Sequence, residues 1–194
     1  MDTNKEVTAV GGTMGLFAKL KEVFSAQKYI FKAMSEMDQK NAAYAAMTQT
    51  ELEQLSDDEL ISAALYRIDK KLDLLLGKKK KGTPADWSKQ LTNAPKNVYI
   101  LSYFESDVQT GGLEYFLVRN PNLSKSVSDC FHAIGAYEHQ QLCDAFFTIY
   151  GYKLNYAERM EHQDKLKEFD RSYQLLPPLE PIFAAYLRAN LNDF

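Results

Sequence analysis

The sequence predicts an all-α protein: a single helical domain of about eight to ten helices with an added N-terminal amphipathic helix. Three observations carry this. No stretch alternates apolar and polar residues between regularly spaced turn signals, as a half-buried sheet would require. From Leu60 to Leu75 the apolar residues Leu60, Ile61, Ala64, Leu65, Ile68, Leu72 and Leu75 recur at helical spacing, behind Ser56 and Glu59 and ahead of Gly77. That is a capped helix over 57–76 with its start and stop signals in place. Third, the run VYILSYFESDVQTGGLEYFLV at 98–118 sets two aromatic-rich segments on either side of Gly111-Gly112. A glycine pair is expected where the chain turns sharply or another group comes close, so this reads as a tight helix-to-helix corner. VYILSYF has strand propensity but no partner strand.

Taken in order, residues 1–13 are polar and contain glycine, and read as a flexible N-terminus. Residues 14–49 read as a helical extension. From Met14 to about Met37, Leu16, Phe17, Leu20, Val23, Phe24, Ile30 and Phe31 form a stripe among Lys19, Lys21, Lys28 and Lys32. Such a basic amphipathic helix can lie on an anionic membrane or dock on its own domain, and docking is the favoured reading. The Ala-rich 41–47 adds a shorter helix. Gly77 to Gly82 encloses four lysines, expected as a solvated loop dispensable for folding. Thr83-Pro84-Ala-Asp86 opens a short helix carrying Trp87. Pro95 opens another that runs into the glycine corner, and the helix beyond the corner ends at Asn120-Pro121. Ser124 is expected to cap a helix to Gly135, and Tyr137 to Tyr150 forms the next, closed by Gly151. Asn155 with Glu158 opens a charged helix to about Phe169. After Pro177, Pro178 and Pro181, the residues Ile182, Phe183, Tyr186, Leu187 and Leu191 give the last one.

The formal net charge is −3, spread as a patchwork: the acidic 51–77, with seven carboxylates against three basic groups, abuts the lysine loop. No large single-sign field follows. Two cysteines are too few for a disulfide framework and read as reduced, buried thiols, which points to the cytoplasm. No apolar run is long enough to span a membrane.

Catalytic signals are weak. Cys130, His132, His139 and Cys143 are metal-ligand types, and His139 and Cys143 share a helix face, but Cys130 and His132 lie on different faces and no zinc-type cysteine pair occurs. No metal and no cofactor is therefore expected; a metal-dependent enzyme using this group is an alternative. No phosphate-loop or dinucleotide pattern surrounds the glycines. Glu105, Asp107 and Glu114 flank the corner, and the expected role is to solvate its outer face.

The residues T-G-G-L-E-Y-F at 110–116, Asn120 and A-I-G-A at 133–136 resemble the N-G-G-F-x-Q-Y-F…N…iGA signature of a domain-of-unknown-function family typified by a bacterial DNA-mimic protein. Thr110 and Glu114 stand where that signature has Asn and Gln. The similarity extends to S-D-D-E-L-I at 56–61 and to F-D-R-S-Y…Y-L-R at 169–188, so that residues 50–194 read as the family domain. The resemblance implies an all-helical fold in which Gly111, Gly112, Tyr115, Phe116, Asn120 and Gly135 are structural. It also implies a non-enzymatic module that masks a partner protein, and a homodimer. The partner is then a DNA-binding protein or, if the protein confers immunity, a toxin. Asp57, Asp58, Glu59, Glu105, Asp107 and Glu114 are the candidate partner-binding carboxylates.

Overall fold

The computed structural model describes residues 36–77, 79–152 and 156–194. The chain divides into two units, Met1–Ala43 and Tyr44–Phe194. In the first, the described residues 36–43 are helical. The expected N-terminal segments up to residue 35, Lys78 and Asn155 lie outside the described residues, as does the side chain of Glu158.

Every regular element among the described residues is helical. Helix α1 covers 36–46. It is followed by α2 (Gln49–Glu53), α3 (Asp57–Leu76), α4 (Pro84–Ser88), α5 (Asn93–Arg119), α6 (Pro121–Ile134), α7 (Tyr137–Tyr150), α8 (Tyr156–Glu161), α9 (Gln163–Gln174) and α10 (Leu179–Ala189), with a final 3-10 turn at Leu191–Asp193. No helix among them is long and apolar enough to cross a membrane.

Helix α3 has the bounds its stripe predicts, with Leu60, Ala64, Ile68 and Leu72 buried. Its cap is half a capping box: Ser56 Oγ accepts from the Glu59 amide at 3.4 Å and donates to the Glu59 carboxylate, which does not return to the Ser56 backbone. The Arg67 side chain donates to the carbonyls of Tyr44 and Met47, satisfying acceptors that the end of α1 leaves open.

Helix α5 is central to the second unit and packs on α6, α9, α3 and α4, while α10 packs on α3. The core has an aromatic centre. Phe104 meets Phe116 at 4.8 Å, Phe131 at 5.3 Å and Tyr173 at 5.7 Å between ring centroids, all edge-on. Both halves of α5, together with α6 and α9, are thus joined through one ring. Each buried phenylalanine contributes ~1.5–3 kcal/mol by removal from water, and favourable ring geometry adds ~1 kcal/mol.

Four expectations are corrected. Asn120-Pro121 does not only stop a helix: α6 begins at Pro121, because a proline at the first helical position lacks only an N–H that would have no partner there. Ser124 is buried inside α6 and donates to the Pro121 carbonyl at 2.7 Å. The charged helix of the C-terminal third is broken at His162 and, as α9, runs on to Gln174. The lysine loop is anchored rather than wholly solvated: Lys80 pairs with Asp69 and with Asp73 at 3.1 Å, and the Trp87 indole donates to the Lys81 carbonyl at 2.9 Å.

Candidate functional site

At the corner, α5 leaves helical geometry at two residues, Gly111 (φ −159°, ψ 19°) and Gly112 (φ 82°, ψ −179°). The second conformation is open essentially to glycine alone. The break leaves the first amides of the second half-helix without intrahelical acceptors. Asp170 of α9 supplies one: its Oδ1 accepts from the Leu113 amide at 2.8 Å. A carboxylate here also suits the positive end of a helix. It comes so close that a Cβ on Gly112 would sit 2.4 Å from Asp170 Oδ2, and one on Gly111 would sit 2.8 Å from the Tyr115 ring. Phe116 is fully buried. Gly135 closes α6 in the left-handed conformation.

The six candidate carboxylates have different surroundings. Asp107 is only 4% exposed. It accepts from Asn120 Nδ2 at 2.6 Å and from Arg119 at 3.1 Å. Glu114 pairs with Arg159 of α8. Glu105 accepts from the Tyr173 hydroxyl of α9 and from the Gln109 side chain, and burial raises its pKa. The expectation that these three solvate the outer face of the corner is therefore corrected: their bonds tie α5 to α6, α8 and α9. At the start of α3, Asp57 pairs with Arg188 at 2.6 Å and Glu59 bonds with Ser56. Asp58 is exposed and lies beside Glu180 of α10, whose pKa the Asp58 carboxylate raises.

Two clefts connect these groups. The first, of about 540 Å³, is lined by Glu105, Gly111, Gly112, His139, Asp170 and Tyr173, with Pro177 and Pro178 beside them. The second has the same volume and is lined by Asp58, Glu105 and Glu180 together with Ile61, Leu65 and Phe183. Glu105, Gln109, Pro178 and Leu179 belong to both, so the two form a continuous groove. Among the described residues no lysine or arginine lines either part. Asp58 and Glu105 are thus brought together with Asp170 and Glu180, which sequence reasoning did not single out. The signal for Asp170 lay in the F-D-R-S-Y run; Glu180, between two prolines, gave none. Asp57, Glu59, Asp107 and Glu114 do not line the groove.

The Cys/His group is divided. Cys130 and Cys143 are buried, and burial pushes the Cys130 thiol up to about 12 and Cys143 well above the usual range. Both are held as neutral thiols, the unreactive form. His139 is 3% exposed, bonds to the Pro177 carbonyl and has its pKa lowered by burial, so that it is neutral in the groove wall. His132 bonds to Gln140 on the surface. No group of three or more His, Cys, Asp or Glu among the described residues has the geometry of a metal site.

A pH effect follows from Glu105. Its folded-state pKa is raised by burial, so between the ordinary glutamate range and the raised one the native state holds a proton that the unfolded chain has released, and above both Glu105 is a carboxylate. The associated stability is fully present below the ordinary glutamate range and is lost as pH rises through the raised one. Glu105→Gln, which still accepts the Tyr173 hydroxyl, is expected to match the wild-type melting temperature in acid and exceed it at neutral pH. Melting curves across pH that stay parallel for the two proteins would refute this.

In comparisons with known proteins, a family model described as DMP19-like protein matches residues 89–190, just over half of the chain. The match covers α5 to α10, including the corner, Asp170 and Glu180, and leaves out α3 with Asp57 and Asp58. No curated protein and no solved structure matches the chain.

Proposed function

The chain belongs to the DMP19-like protein family, and from that membership we propose that it works without catalysis, as a module that binds a partner protein and masks it. The observation that carries the reading is the groove at the glycine corner. Asp58, Glu105, Asp170 and Glu180 line it, and none of them has a basic partner among the described residues. A concave surface of one charge sign, partly apolar, is suited to specific binding and to steering an oppositely charged protein.

The partner this favours is a DNA-binding or DNA-acting protein, whose basic surface the groove complements. Close imitation of a duplex is not how it would do so. A duplex carries one charge per ~1.7 Å, or about 18 over the ~30 Å length of a helix such as α3. Helix α3 carries five carboxylates and three basic side chains, and Asp57 is already held by Arg188. Masking then rests on fit to the groove more than on a long array of charges.

The test is capture of the partner by the tagged full chain in its own cells, followed by an assay of the partner's own activity. Nucleic-acid binding by that partner is expected to disappear on addition of one equivalent of the protein. Loss of a toxic activity instead would assign the same masking to an immunity role. A captured partner that keeps its full activity, or turnover of a substrate by the chain itself, would refute the proposal.

A further inference from the structure

We propose that the groove at the glycine corner holds an arginine side chain of the partner protein, with Glu105, common to both clefts, as its central carboxylate and apolar residues of the partner against Ile61, Leu65 and Phe183. This rests on the protein-binding reading above and names the chemistry of what is bound.

The argument starts from which carboxylates are already neutralised. Asp57, Asp107 and Glu114 each hold an arginine of their own chain, and Asp69 and Asp73 share Lys80. By contrast, among the described residues the hydrogen-bond donors to Glu105 are the neutral Tyr173 and Gln109, and Asp170 has one backbone amide. Glu180 lies against the Asp58 carboxyl group, which raises its pKa by like charge and through a side-chain hydrogen bond, and among the described residues has no basic group in its place. Neutral donors solvate a carboxylate without cancelling its field: Glu105 and Asp170 line the first cleft and Asp58, Glu105 and Glu180 the second, each cleft of about 540 Å³. Each cleft falls within the ~300–1,000 Å³ typical of ligand pockets, roomy enough for a side chain and its neighbours. Neutral His139 adds no positive charge to this wall.

Arginine fits this setting better than lysine. The groove pairs carboxylates with apolar walls, so an occupant must shed water to enter. A guanidinium is more weakly hydrated than an ammonium, and its planar fork can meet two carboxylates at once while its stem lies along apolar surface. The partner's neighbouring apolar residues then cover Ile61 and Leu65, which are only partly buried.

The test uses the full ¹⁵N-labelled chain and three synthetic peptides, acetyl-Leu-Xaa-Leu-amide, with arginine, lysine or citrulline in the middle; citrulline is the neutral near-isostere of arginine. The arginine peptide is expected to shift the backbone amides of Gly111, Gly112 and Leu113 to saturation, and the citrulline peptide to leave them in place. The double variant Glu105→Gln/Glu180→Gln, which touches neither the Asp170 bond nor a helix cap, is expected to weaken the arginine peptide about tenfold or more without lowering the melting temperature. Equal binding of citrulline, equal binding of lysine, shifts confined to other surfaces, or unchanged affinity in the double variant would each overturn the assignment. Because the titration needs no partner, a partner that is bound but never masked defeats the masking reading alone.

Discussion

Gly112→Ala is expected to destabilise the protein by about 3–4 kcal/mol and to lower the melting temperature by roughly 10 °C. Two costs add. At φ 82° and ψ −179° the backbone is in a region that a Cβ disfavours by ~1–3 kcal/mol, and that Cβ would lie 2.4 Å from Asp170 Oδ2. Relief requires Asp170 to withdraw, which ends its bond to the Leu113 amide. Gly111→Ala carries no left-handed strain, its φ being −159°, but its Cβ would lie 2.8 Å from the Tyr115 ring and 2.9 Å from Tyr115 Cβ, which turning the ring alone does not relieve. A cycle with Asp170→Ala separates the two costs, because removing the carboxylate removes the collision but not the backbone strain. An unchanged thermal melt for Gly112→Ala would show that the corner is not held as described.

Asn120→Leu is the second substitution expected to be severe, at about 2–4 kcal/mol. Asn120 is 9% exposed and its amide nitrogen lies 2.6 Å from Asp107 Oδ2; that carboxylate is itself 4% exposed. Leucine would leave Asp107 buried with Arg119 as its remaining partner, and a buried charge that loses a hydrogen bond costs much more than the net worth of the bond. Arg119→Ala should be milder, because the arginine side chain is 57% exposed and water can replace it. Urea unfolding of the two variants gives the order directly. If Arg119→Ala were as damaging as Asn120→Leu, the ion pair rather than the buried amide would hold this joint.

How much of this was legible in the sequence depended on distance along the chain. The bounds of α3 could be read because its stripe, its serine cap and Gly77 are all local. The corner could be read because a glycine pair between aromatic runs has few uses. The start of α6 was misread because Asn120 serves two helices, ending α5 and opening α6, and a local signal for stopping hides the signal for starting. The carboxylates could be found but not sorted. The arginines that occupy Asp107, Glu114 and Asp57 are 12, 45 and 131 residues away, and only the folded chain brings them near. For the same reason the groove was invisible: its walls come from α3, α5, α7, α9 and α10 and from the connection between the last two.

The bond from the Leu113 amide to Asp170 spans 57 residues, and this has a consequence for the protein while it is being made. At a synthesis rate of ~5–20 residues per second, Asp170 follows Leu113 by roughly 3–11 s. Through that interval the second half of α5 has no α9 to close its first turn, and Phe104 and Phe116 lack the Tyr173 ring that completes their cluster. Nascent chains truncated before α9 can therefore build α3, α4 and the first half of α5, while the corner waits for the last quarter of the chain. A ribosome stalled within that window holds a chain with its aromatic centre open and its groove not yet assembled.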